Sequence, residues 1–200
     1  MRKIQRSEIL PNPEYEALRV QARQEIIAYK KIRRVSLGDL VSVVFENHRT
    51  LWFQTQEILR VEHITNPALI AEELAVYNEL LPDGLTLSAT LFIEIPDQNE
   101  IPAVLRRLIG VEEYVALLAG DQRFSALAEP GRTTEEKTSS VHYLTIPMGE
   151  SGREALLEAF SDVYLEVSHE RYQARTHLEE ATVASLLADL TENPCHVSQR

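Results

Sequence analysis

Three groups of side chains in this sequence have the types and spacing for chemistry. The first is Glu46-Asn47-His48-Arg49, followed by Gln54, Gln56, Glu57 and Arg60. On a helix Gln54, Glu57 and Arg60 recur every third residue and share a face, which places Glu57 and Arg60 to pair. The plainer alternative is a solvated face with weak surface pairs. The second group is the run Arg132-Thr133-Thr134-Glu135-Glu136-Lys137-Thr138-Ser139-Ser140-Val141-His142. It sets charge and hydroxyls in a loop just ahead of a strand, and loops carry function more often than cores do. Arg132 is there an anion clamp or a partner for Glu94. His142 is either an acid–base group or a hydrogen-bonded strand histidine. The third group is Glu94 with Asp97 after it. Oxygen and imidazole ligands from Glu57, Glu94 and His142 would suit a single divalent metal such as iron, manganese or zinc. A carboxylate near an imidazole is also a minimal acid–base unit. Spacing alone does not show that the three converge.

Several kinds of chemistry are missing from the sequence. Its seven glycines are scattered and form no phosphate-cradling loop. There is no Gly-x-Ser-x-Gly, no His-Glu-x-x-His and no Cys-x-x-Cys. With Cys195 as its one cysteine, a chain cannot form an internal disulfide or hold a cysteine-based zinc or iron–sulfur centre by itself. The expectation is a protein without a redox cofactor of its own, in a reducing, cytoplasmic setting. A net charge of -11 argues against general nucleic-acid binding, which relies on basic side chains neutralising phosphates. The basic start is followed by no apolar run, and no stretch is long enough to span a bilayer, so neither a signal peptide nor a membrane anchor is expected.

The elements that must position these groups follow from periodicity. Leu87, Ala89, Leu91, Ile93 and Ile95 alternate with Ser88, Thr90, Phe92 and Glu94. That pattern predicts a central strand over 85–97, with one apolar face and one polar, site-forming face. Asn12-Pro13 opens a helix as cap plus proline, and Asn66-Pro67 repeats the signature. Val35 to Glu46 reads as two short strands or a hairpin, with Gly38-Asp39 as the turn signal. A helix from about Thr50 to His63 carries Glu57 and Arg60. A short helix precedes Gly110, with Asn99 preferred over Asp97 as its cap so that Pro102 falls in the first turn. Strands follow near 114–119, 123–127, 139–146, 163–168 and 172–178, with helices over 149–160 and 180–190. Many strands lie too close in sequence for crossover helices, so pairing is mostly antiparallel. The reading is an α+β fold with a mostly antiparallel mixed sheet of about six to seven strands, and five to six helices packed on it. One domain is expected over 1–192, as a monomer or homodimer, with a loose tail over 193–200.

The segments Leu40-Val41-Ser42-Val43-Val44-Phe45-Glu46-Asn47, Gln54-Thr55-Gln56-Glu57-Ile58-Leu59-Arg60, Leu91-Phe92-Ile93-Glu94-Ile95-Pro96-Asp97 and Arg132-Thr133-Thr134-Glu135-Glu136-Lys137-Thr138 resemble a bacterial family of unknown function. The resemblance runs from about Pro13 to Leu190. It does not extend to the tail with Cys195 and His196. The family is similar to proteins encoded beside rubrerythrin-like and iron–sulfur oxidoreductase proteins. That resemblance implies a redox or peroxide-stress context, with one of those proteins as partner, and it supplies no catalytic residues. Two expectations result. One is an accessory or binding protein whose contact surface is Glu57, Arg60, Glu94, Arg132 and Glu136. The other is a metalloprotein or acid–base enzyme built on Glu57, Glu94 and His142.

Overall fold

Alternation of apolar and polar residues makes strands here, and proline or asparagine after a turn starts helices. A computed structural model describes residues 1–191. In chain order its elements are α1 (Asn12–Lys31), β1 (Arg34–Leu37), β2 (Val41–Glu46), α2 (His48–Val61), α3 (Pro67–Glu79), β3 (Thr86–Ile93), α4 (Ile101–Arg107), β4 (Val115–Ala119), β5 (Gln122–Ser125), β6 (Leu127–Ala128), β7 (Val141–Pro147), α5 (Gly149–Glu158), β8 (Val163–His169), β9 (Tyr172–His177) and α6 (Glu180–Thr191). The fold is α+β, as its periodicities predict. Its strands divide between two sheets, in the orders β1-β2-β3-β7-β6 and β5-β4-β8-β9. Every strand pair is antiparallel. The expected tail, with Cys195 and His196, lies outside the described residues.

The predicted central strand, β3, lies in the middle of the first sheet between β2 and β7. Leu87, Ala89, Leu91 and Ile93 face a core that Leu144 and Ile146 of β7 share with Leu117, Leu165 and Val167 of the second sheet. The opposite face is covered too. All six residues of β2 are buried, although three of them, Ser42, Val44 and Glu46, belong to that second face. A smaller apolar cluster, Leu51, Leu59, Ile70 and Leu74 with Ile4 and Ile9, ties α2, α3 and the N-terminal segment together. Over Ser88 and Thr90 the polar face of β3 is therefore an interior surface under helices, which shelters those hydroxyls and the Glu46 carboxylate of β2 from water.

Local chemistry sets the junctions. Asn47 caps α2 by accepting from the Arg49 and Thr50 amides at 3.1 and 3.3 Å, and its own amide donates to the Thr50 hydroxyl at 2.9 Å. Asn66 caps α3 through the Ala68 amide at 2.8 Å. Two predicted caps shift. Pro11 is the cap of α1, with Asn12 already helical. Asp97, not Asn99, is the cap near α4, because a single 3-10 turn over Gln98–Glu100 forms first and Asp97 accepts from the Asn99 amide at 2.8 Å. Pro102 still lies in the first turn of α4, where its missing N–H costs nothing. Gly38 turns the β1–β2 hairpin at φ +68°, and a Cβ there would stand 2.6 Å from the Tyr172 hydroxyl. That hydroxyl donates to the Leu37 carbonyl at 2.5 Å and accepts from the Leu40 amide at 3.0 Å, locking the hairpin to β9.

A buried ionic knot fastens α6. Arg33 is fully buried. It donates to the Phe45 carbonyl at 2.8 Å and the Ser185 hydroxyl at 2.6 Å, and it pairs with Asp189. The Asn47 side-chain amide donates to the other Asp189 oxygen at 3.0 Å and to the Tyr29 hydroxyl at 2.7 Å. Multiple hydrogen bonds of this kind are what make a buried charge pair tolerable.

Candidate functional site

The three sequence constellations occupy three different places. Glu57 and Arg60 do come together, with Nε of Arg60 at 3.5 Å from the Glu57 carboxylate. The stronger partners of Glu57 come from α1. Arg19 donates to both its oxygens at 2.8 and 2.9 Å, and the Tyr15 hydroxyl donates at 2.8 Å. The Arg19 hydrogen bonds outweigh the cost of burial and, with the Tyr15 bond, hold the Glu57 carboxyl down at about 2. Burial, followed by the bond to Glu57, pushes the Tyr15 phenol well above its ordinary range. This cluster clamps α2 to α1. Arg60 adds a partner of its own in Glu16 at 3.2 Å.

Glu94 stands at the exposed end of the β3 segment. Its cation is Arg34 at 2.6 Å, which also donates to the Ser42 hydroxyl at 2.9 Å and lies over the Phe92 ring. The Ser42 hydroxyl first, and Arg34 with it, hold the Glu94 carboxyl below its usual range. Arg132 is thus not the partner of Glu94. It pairs with Glu129 at 2.6 Å and stacks 4.4 Å from the centre of the Tyr143 ring. Glu136 is exposed in a turn closed by the Thr134 amide and the Lys137 carbonyl.

His142 is fully buried on β7. It registers with Leu91, on the core side of the sheet, whereas Glu94 continues the Phe92 side. The structure therefore does not assemble Glu57, Glu94 and His142 into one ligand set. Among the described residues no group of three or more His, Cys, Asp or Glu side chains is arranged to hold a metal ion. The carboxylate beside His142 is instead Glu112, 3.7 Å from Nδ1. Nε2 of His142 lies 2.9 Å from the Ser139 carbonyl, which can only accept, so that nitrogen carries a proton. The Thr138 hydroxyl lies 2.9 Å from the same nitrogen and 2.8 Å from the Thr133 hydroxyl, which donates to Glu112. Glu112 is separated from His142 by the whole β4–β6 region, so the local sequence carries no signal of this pairing.

The first sheet and α3 enclose a groove of about 540 Å³, within the usual range for small-molecule sites. Tyr77, Leu80, Glu73 and Glu79 supply the helix side, Ser88, Tyr143 and Thr145 the sheet floor, and Leu127, Glu129 and Arg132 the far rim. Thr145 and Tyr143 share the face of Ser88 and Thr90, because β3 and β7 register Ser88 with Thr145 and Thr90 with Tyr143. Of the candidate binding and metal residues Arg132 alone lines this groove, and Ser88, on the face of the central strand expected to form a site, is part of its floor. Tyr77 and Tyr143 were legible only as members of a helix and a strand.

Two antiparallel sheets around one core, helices over the outer face of the first, and a groove between α3 and that face define an α+β protein with a sheltered polar pocket. The chain belongs to the family described as protein of unknown function (DUF3501), whose model matches residues 3–190. It is similar to a novel protein of unknown function from Burkholderia pseudomallei, known from a crystal structure, with a TM-score of 0.87 and 33% identity over 94% of this chain and 100% of that one. None of the curated proteins matches. No helix among the described residues is long and apolar enough to cross a membrane.

Proposed function

We propose that this protein is a cytoplasmic accessory binding protein of a redox or peroxide-stress system, without a redox cofactor of its own, and that it holds its ligand in the groove under α3. The observation that carries the binding reading is the groove itself, a cavity of about 540 Å³ floored by Ser88, Thr145 and Tyr143 and walled by Tyr77. The resemblance described above supports the redox context, and it points to an iron–sulfur oxidoreductase or a rubrerythrin-like protein as partner.

The test has two arms. Native mass spectrometry of the full chain after exposure to a small-molecule extract should show an adduct, and Val76→Trp should remove it. Val76 is exposed on α3 and lines the groove, so the larger ring fills space without disturbing the core. An adduct that persists in V76W places the ligand elsewhere. For the accessory role, the purified oxidoreductase or rubrerythrin-like protein is titrated with this chain. No association, and no change in the partner's turnover, would remove the redox part of the reading.

The juxtaposition of Glu112 and His142, 3.7 Å apart with His142 Nδ1 buried and making no hydrogen bond among the described residues, favours a second reading, an acid–base unit under the 129–138 loop. It replaces the expected set of Glu57, Glu94 and His142. Under this reading a solvent-accessible substrate site would have to open beside Thr133 and Thr138, and groove binding would be unaffected by His142→Leu.

A further inference from the structure

We infer that the groove takes a small molecule carrying an alkylammonium group, with Glu46 as the residue that receives it. This names the ligand class for the binding site proposed above and rests on that reading. Glu46 ends β2 and is 2% exposed. It registers with Ser88, which registers in turn with Thr145, and both line the groove. One carboxylate oxygen accepts from the Thr90 hydroxyl at 2.9 Å, so the side chain reaches across from β2 to β3, where Thr90 registers with the groove residue Tyr143. The other oxygen is buried and has no hydrogen-bond partner among the described residues. A buried carboxylate oxygen left unpaired is costly, and a donor that reaches it is held strongly.

The surrounding charge selects the sign of that donor. Among the lining residues Arg132 is the single cation, and Glu129 already neutralises it at 2.6 Å. Glu73 and Glu79 remain in excess. Burial first, and the acidic surroundings that include Glu73 and Glu62 after it, push the Tyr77 phenol up. Tyr143 already holds a cation over its ring in Arg132. A divalent metal is the poorer occupant, because no three ligating side chains gather among the described residues. A guanidinium is poorer as well: its planar fork wants both oxygens of a carboxylate, and Thr90 occupies one. An ammonium needs a single open acceptor and can donate its remaining hydrogens to hydroxyls such as Ser88. Because the open oxygen is closed off from solvent and Glu46 does not itself line the groove, lining side chains must give way for the ammonium to reach it.

The test uses phenethylamine and its neutral counterpart phenethyl alcohol on the full chain, followed by amide NMR and calorimetry. The amine should shift the amides of Tyr77, Ser88, Tyr143 and Thr145 and bind at least ~10-fold more tightly than the alcohol, the ratio of one good charge-assisted bond. Glu46→Gln should erase that preference, with amide dispersion confirming the fold. Glu73→Gln with Glu79→Gln, a variant of surface residues, should narrow it several-fold at low salt. Equal binding of amine and alcohol to the natural chain, or a preference that survives in E46Q, overturns the ammonium assignment while leaving the groove as a binding site. Absence of groove shifts with either probe overturns both.

Discussion

Replacing Glu57 by Gln tests whether the Tyr15–Arg19–Glu57 cluster is a structural clamp. The variant keeps the shape and removes the charge that Arg19 engages at 2.8 and 2.9 Å. Hydrogen bonds from Arg19 and Tyr15 lower the carboxyl from 4.5 to about 2. At 1.36 kcal/mol for each pH unit, that displacement has a ceiling of ~3.4 kcal/mol. Both side chains retain about a quarter of their exposure, 25% and 23%, and water and salt screen such a pair, so the expected loss at neutral pH is about 1–2 kcal/mol. For a chain of this size that is a fall in Tm of roughly 2–8 °C. The pH dependence has a definite sign. The carboxyl is depressed in the folded state, so its stabilisation is fully present above 4.5 and is lost as pH falls from 4.5 toward 2. By about pH 3 more than half of the difference between natural chain and variant should be gone. Urea titrations at pH 7, 5, 4 and 3 measure it. Equal stability at pH 7, or a gap that stays constant down to pH 3, would refute the clamp and return Glu57 to the list of free functional carboxylates.

Arg33→Met strips the buried knot of its cation and leaves the Asp189 carboxylate of α6 without its guanidinium. Chemical denaturation should show a loss of about 3–5 kcal/mol, and a loss under ~1 kcal/mol would contradict the buried pair. Glu94→Gln should cost less than about 1 kcal/mol, because its side chain is 54% exposed beside Arg34. A sharp drop in its melting curve would instead make Glu94 part of an interior network. Elemental analysis of protein purified without an affinity tag and without oxygen should find no stoichiometric iron, manganese or zinc. A full equivalent that disappears in Glu94→Gln or His142→Leu would restore those residues as ligands.

The order of strands and helices was legible in the sequence because it rests on local periodicity. Leu87 to Ile93 alternate, Asn66-Pro67 marks a helix start, and Gly38-Asp39 marks a turn; the helix expected from about Thr50 begins at His48, capped by Asn47. Where the reading slipped, at Asn12 and Asn99, two neighbouring residues could both cap, and the register of one hydrogen bond chose between them. The pairing of Glu57 with Arg60 was legible too, since a three-residue helical spacing fixes it. What joins distant segments was not. Glu94 meets Arg34 rather than Arg132 because β1 and β3 flank β2. His142 meets Glu112, and Glu57 meets Arg19, through packing that no local pattern encodes. Composition by itself ruled out an internal disulfide and, within one chain, a cysteine-held metal, because one cysteine cannot do either. That the polar face of β3 is an interior floor, with Glu46 buried and half unpaired beside a groove, came only from the tertiary structure. Period-2 alternation says which residues share a face, but what covers that face depends on where α2 and α3 fold back across the sheet.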